Sequence, residues 1–128
     1  MRPATKSAIA VLGFVVAGAG LVSCGGSPKP AAAVVTSDGT THVTLIANDS
    51  MRFVPSRVTV PPGPVDVTMQ VEGTVAHDID FPELNLASPI IQPNHSTTLH
   101  FIAKAGHTYD FECELHLTDG MIGSIHVT

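Results

Sequence analysis

From Thr41 to Thr128 the chain keeps a period of two, and that alternation constrains the fold before any single residue is weighed. Val65, Val67, Met69 and Val71 alternate with Asp66, Thr68, Gln70 and Glu72, the pattern of a strand with one buried and one wet face. Val43, Leu45 and Ala47 repeat the pattern more weakly. Val58 and Val60 follow Phe53 and Pro55, and Pro61-Pro62-Gly63-Pro64 then forces a turn. Val75, His77, Ile79 and Phe81 share a face, with Asp78 and Asp80 on the other. After an irregular connection through Pro82, Pro89 and Pro93, one face carries Thr97, Leu99, Phe101 and Ala103. Ala105-Gly106 turns the chain into His107, Tyr109, Phe111 and Cys113 on one face, and Met121, Gly123, Ile125 and Val127 close it. There is no convincing amphipathic helix and no internal repeat. About seven short strands of this kind predict an all-β fold, a Greek-key antiparallel β-sandwich over residues 41–128.

Composition narrows the function classes. The 128 residues have room for one domain, and 44% apolar content with only 13% charged residues excludes a disordered chain. Six Lys and Arg against eleven Asp and Glu leave no phosphate-neutralising surface, so nucleic acid is not an expected partner. Two Cys allow at most one disulfide, which excludes a disulfide-stapled scaffold.

The N-terminal segment reads as an address. Arg2 and Lys6 precede an apolar and glycine run from Ala8 to Val22, short for a membrane span and suited to a signal-peptide core. It ends in Leu21-Val22-Ser23-Cys24, which resembles the bacterial lipobox. That resemblance implies a signal peptide over 1–23, cleavage after Ser23 and a lipid on Cys24. The chain would then be anchored outside the cytoplasm on a bacterial membrane, at the cell surface or on a periplasmic face. The small, Pro-rich stretch 24–40 reads as a flexible tether, setting the domain about 20–25 Å from the lipid on average. With Cys24 lipidated, Cys113 is the one free thiol, in a compartment where thiols oxidise.

Taken singly, an inward His is a satisfied core residue and a lone inward Cys is inert packing. Together they read differently. Cys113-Glu114-Leu115-His116-Leu117-Thr118-Asp119-Gly120-Met121 is Cys-x2-His-x4-Met, and with His77 it offers one thiolate, two imidazoles and a thioether. That is the donor set of a mononuclear blue-copper site, a His₂Cys plane with a weak axial Met. Cu(II) prefers nitrogen and Cu(I) soft sulfur, so a rigid mixed site tolerates both and little has to move when an electron arrives.

These residues resemble a cupredoxin, with the ligand-loop spacing of plastocyanin and pseudoazurin. The likeness runs from about Thr41 to Thr128 and takes in Met51–Gly63, His77-Asp78 and Tyr109–Cys113. It implies one type 1 copper ion held by His77, Cys113, His116 and Met121, and a monomeric, non-enzymatic carrier of single electrons. It also implies that His116 reaches the surface within an apolar patch formed by Leu115 and Leu117, where redox partner proteins dock. Leu117 is expected to be the more exposed of the two.

The sequence departs from the family at Leu115, often Pro, at Glu114, often Ser or Thr, and at Asp78, often Asn. Carboxylates at Glu114 and Asp78 would favour Cu(II) and lower the reduction potential. The acids Asp78, Asp80, Glu83, Glu112, Glu114 and Asp119 read as one solvated face. His42, His95, His100, His107 and His126 are expected to be ordinary polar residues, with a weak second copper-loading surface as the alternative. Acquisition, storage or delivery of copper outside the cytoplasm is the competing function, and a zinc site using Cys113 a further one. Delivery sites dispense with thiolate and zinc favours a closed tetrahedral set, so the donors favour redox.

Overall fold

The computed structural model describes residues 32–128. The leader and most of the expected tether, including Cys24, lie outside the described residues. Among the described residues no helix is long and apolar enough to cross a membrane.

Two sheets face each other. The first contains β1 (Ala33–Val35), β2 (Thr41–Asn48), β3 (Arg52–Val54), β5 (Gly63–Val71) and β8 (Ser96–Ala103). The second contains β4 (Arg57–Val60), β6 (Asp80–Phe81), β7 (Leu86–Ala87), β9 (Thr108–Glu112) and β10 (Ile122–Val127). The first runs β1-β2-β5-β8, with β3 on β2, and the second runs β4-β10-β9-β6-β7. The β-sandwich is therefore as expected. The strand count rises because the run around Phe53 to Val60 divides into β3 and β4, and because short strands form in the stretches read as irregular connection (β7) and tether (β1).

Two pairings are parallel, β2 with β5 and β4 with β10, where the sequence reading expects antiparallel neighbours throughout. Between β2 and β5 the chain makes β3, then crosses to the second sheet as β4 before returning, and such a crossover is what a parallel pair requires. β1 falls inside the stretch 24–40 read as a tether; Ala33, Val34 and Val35 pair with Val43, His42 and Thr41. Small residues carry little strand signal of their own, and here the edge of β2 supplies the partner.

The alternation seen in the sequence becomes the core. Val43, Leu45, Ala47, Val65, Val67, Met69 and Val71 line one inner face; Tyr109, Phe111, Ile125 and Val127 line the other, all buried. The Phe111 ring meets Phe53 edge-on at 5.0 Å and lies 5.5 Å from Phe81. The C-terminal ends of β2, β5 and β9 and the start of β10 gather at one pole, where the functional candidates sit.

Candidate metal centre

The first strand end carries a positioning device. In the turn after β2, the Asp49 carboxylate accepts from the Thr74 amide at 2.8 Å, the Val75 amide at 3.0 Å and the Thr74 hydroxyl at 3.1 Å. These bonds fix the segment leading to His77. Gly73 is required there: its φ is +98°, and a Cβ would collide with the Asp49 carboxylate. The Thr74 and Val75 amides, in that order, hold the Asp49 carboxyl below its ordinary value of 3.8. A lowered carboxyl stabilises the fold fully above that value and ceases to as pH falls through the folded value. Asp49→Ala is expected to loosen the 73–77 segment. Hydrogen exchange of the metal-free protein should show faster exchange at Thr74 and Val75, and the acid limb of its stability should flatten.

His77 is fully buried, and its backbone pairs with Ile91 in both directions, at 3.1 Å and 2.7 Å. Its Nδ1 lies 3.9 Å from Cys113 Sγ, and its buried Nε2 has no partner within hydrogen-bond distance. Burial first, and then the neighbouring His116, push its pKa below the usual 6.5, while the Asn48 carbonyl pulls the other way. A proton on Nε2 leaves the Nδ1 lone pair facing Sγ.

Cys113 follows β9 directly and is fully buried. Its amide donates to the Met121 carbonyl at 3.0 Å, its carbonyl accepts from the His116 amide at 3.2 Å, and the Met121 amide reaches the His116 carbonyl at 3.3 Å. One short loop, with a 3₁₀ segment over Glu114–Asp119 and Gly120 in the left-handed region, thus gathers all three residues. Met121 is buried as its parity predicts. The His116 and His77 ring centroids are 5.0 Å apart; His116 Nε2 lies 3.3 Å from the Ala76 carbonyl and Nδ1 3.5 Å from an Asp119 oxygen. The donor atoms of His77, Cys113 and His116 all lie within 4.8 Å of one another.

This geometry fits one soft transition ion. Bonds of about 2.3 Å to sulfur and about 2.0 Å to nitrogen, opened to a trigonal angle, put the two donors about 3.7 Å apart. The observed Nδ1–Sγ separation of 3.9 Å is close to that, and the buried Nε2 holds no hydrogen bond that a metal on Nδ1 would disturb. Without a metal the Cys113 thiol is pushed up to about 11, chiefly by burial. The Asp78 and Leu115 amides favour the thiolate, and the Asp78 carboxylate opposes it.

Asp78 corrects the sequence reading. It is not part of a solvated acidic face but buried, and its Oδ1 accepts from the Glu114 amide at 2.9 Å. The segment before β6 is a loop with a single bridge at His77, so strand parity does not govern Asp78. Glu114 takes part only through that amide, since its residue is exposed. Asp78→Asn keeps an acceptor for the amide while removing the charge. It is expected to lower the Cys113 pKa of the metal-free protein from about 11, read from thiolate ultraviolet absorbance. Because a raised pKa favours the folded state only while the thiol is neutral, alkali above 9.0 should destabilise the parent more than the variant.

Leu115 and Leu117 are equally exposed, at 45% each, rather than Leu117 the more so. His42, His95, His100 and His126 are exposed as expected; His107 is half-exposed and 2.6 Å from Glu83. The sequence reading missed Asp49, Gly73 and the Ala76 and Asn48 carbonyls. Only the Asn48-Asp49-Ser50 turn signal hinted at the first.

A family model described as a cupredoxin-like domain matches residues 14–127. A search of curated protein sequences gives no match. Among solved structures, the chain is similar to reduced auracyanin of Roseiflexus castenholzii, with 21% identity over 68% of this chain and 96% of that one and a TM-score of 0.58. It is also similar to the metal-binding domain of the Cu(I)-exporting P-type ATPase of Streptococcus pneumoniae D39, with 17% identity over 75% and 92% and a TM-score of 0.61. Auracyanin A of Chloroflexus aurantiacus, described as a "blue" copper protein, gives 16% identity over 70% and 100% and a TM-score of 0.59. At these identities the likeness is one of fold.

Proposed function

The chain belongs to the cupredoxin-like domain family, and from that membership and its buried thiol we propose that it is a type 1 copper protein carrying single electrons. The observation that carries this reading is Cys113, a buried thiol at the end of β9 with the donor nitrogens of two imidazoles within 4.8 Å. Copper, when bound, supplies a one-electron couple between Cu(II) and Cu(I). His77, His116 and Cys113 would hold it, with Met121 the weak fourth donor.

The chain's own residues do the rest. Asp49 fixes the segment that presents His77, and the Ile91 bridge holds its backbone. The Asp78 and Leu115 amides favour negative charge on Cys113 Sγ. Burial excludes water from the thiolate, so reorganisation on electron arrival is small. His116 is the ligand nearest solvent, with 17% of its side chain exposed. Leu115 and Leu117 form the apolar collar against which a redox partner docks briefly. The Asp78 carboxylate, so close to sulfur, sets the potential low, and Asp78→Asn raises it.

The reading extends to a lipid on Cys24 that keeps the carrier at an extracytoplasmic membrane surface. Acquisition or delivery of copper is the second reading; the likeness to a domain of a Cu(I) exporter favours it. Voltammetry of the copper-loaded protein separates the two. A reversible one-electron wave with copper retained over many cycles supports the carrier. Loss of copper on reduction, to a competing Cu(I) chelator, supports delivery. For the anchor, Cys24→Ser should move the protein from the membrane to the soluble fraction; an unchanged distribution removes the lipid from the account.

A further inference from the structure

A second cluster of metal-ligating side chains lies at the other pole. His42 on β2, Asp66 on β5 and His100 on β8 are direct cross-strand partners on three adjacent strands. All three point to the outer face of the sheet, in register. His100 Nδ1 lies 2.6 Å from Asp66 Oδ1, and His42 Nδ1 lies 3.6 Å from Asp66 Oδ2. One carboxylate is thus bracketed by two imidazoles, each facing a different oxygen. His42 lies six positions along β2 from Asn48 beside the Cys113 cluster, about 20 Å of extended strand.

From this juxtaposition we infer a second, solvent-facing site for a divalent transition cation of the zinc or Cu(II) class, held by His42, Asp66 and His100. Neutral imidazole nitrogen with one carboxylate oxygen is a donor set these ions take, with water completing the shell. The ladder is one hydrogen bond plus a His42 contact too long to be a second, and exposed pairs of that kind contribute little to stability. The cation takes the place of the proton between His100 Nδ1 and Asp66. The side chains of His42 and His100 are 47% and 71% exposed, so both can rotate onto one ion while the strands hold Asp66 still. No sulfur is present, so the site selects against Cu(I) and differs in chemistry from the Cys113 cluster.

The test is calorimetric titration of the full chain with zinc acetate near neutral pH, beside the double variant His42→Gln/His100→Gln. The parent is expected to bind a second equivalent that Cys113→Ser leaves in place. The double variant should lose it or bind it about tenfold or more weakly, and Asp66→Asn should weaken it in the same direction. Unchanged far-ultraviolet circular dichroism would show that these exposed substitutions leave the fold alone. A double variant whose titration superimposes on the parent's, or a parent that takes no second equivalent, overturns the site.

Discussion

Replacing Cys113 by Ser is expected to abolish the intense visible band of the copper-loaded protein and to weaken copper binding by more than about 100-fold. A serine hydroxyl is harder, far more basic and a poor donor to either copper state, whereas the thiolate is the ligand that gives such a band. The substitution is nearly isosteric in a fully buried position. Its cost to the metal-free fold should stay within about 1–3 kcal/mol. The variant therefore separates chemistry from folding. Optical titration with cupric salt reads the first and denaturant unfolding of the metal-free protein the second. Retention of the band in a folded variant would remove Cys113 from the site.

The largest loss of stability is expected from Phe111→Ala. Phe111 is 1% exposed, meets two other phenylalanine rings, and fills the space beside Gly123, where a Cβ would run into its ring. Removing such a ring costs about 3–5 kcal/mol, a large part of the roughly 5–15 kcal/mol that holds an average domain together. Phe111 also lies two residues before Cys113 on the strand that delivers it. The metal-free variant should unfold at much lower urea concentration. Copper should restore part of the difference, because an ion that binds only the folded chain shifts the equilibrium toward it. A loss below about 1 kcal/mol would mean that the aromatic cluster is not the centre of the core.

The inner faces of both sheets were legible in the sequence because strand parity is a local property. Val65, Val67, Met69 and Val71 must share a side whatever lies opposite. The same parity, carried one residue past β9 and one before β10, brought Cys113 and Met121 inward, and the donor chemistry of the Cys113–Met121 run supplied His116; His77 is buried as expected, but by a loop and its bridge to Ile91 and not by strand parity. Partnership is not local, so the parallel pairing of β2 with β5 was not readable, nor was the recruitment of Ala33–Val35 to the edge of β2. Asp78 was misplaced because parity was extended through a loop whose course is set by Asp49, Gly73 and the Ile91 bridge. Asp49 reaches across 25 residues of sequence to Thr74, a contact that no spacing rule anticipates.

Extended X-ray absorption at the copper edge, on the full chain loaded with one equivalent of copper, bears on the site without reference to colour or activity. A single short sulfur bond from Cys113 and two imidazole nitrogens are expected, with the sulfur bond lost in Cys113→Ser and one imidazole lost in His77→Ala. A first coordination sphere of nitrogen and oxygen alone would contradict the account.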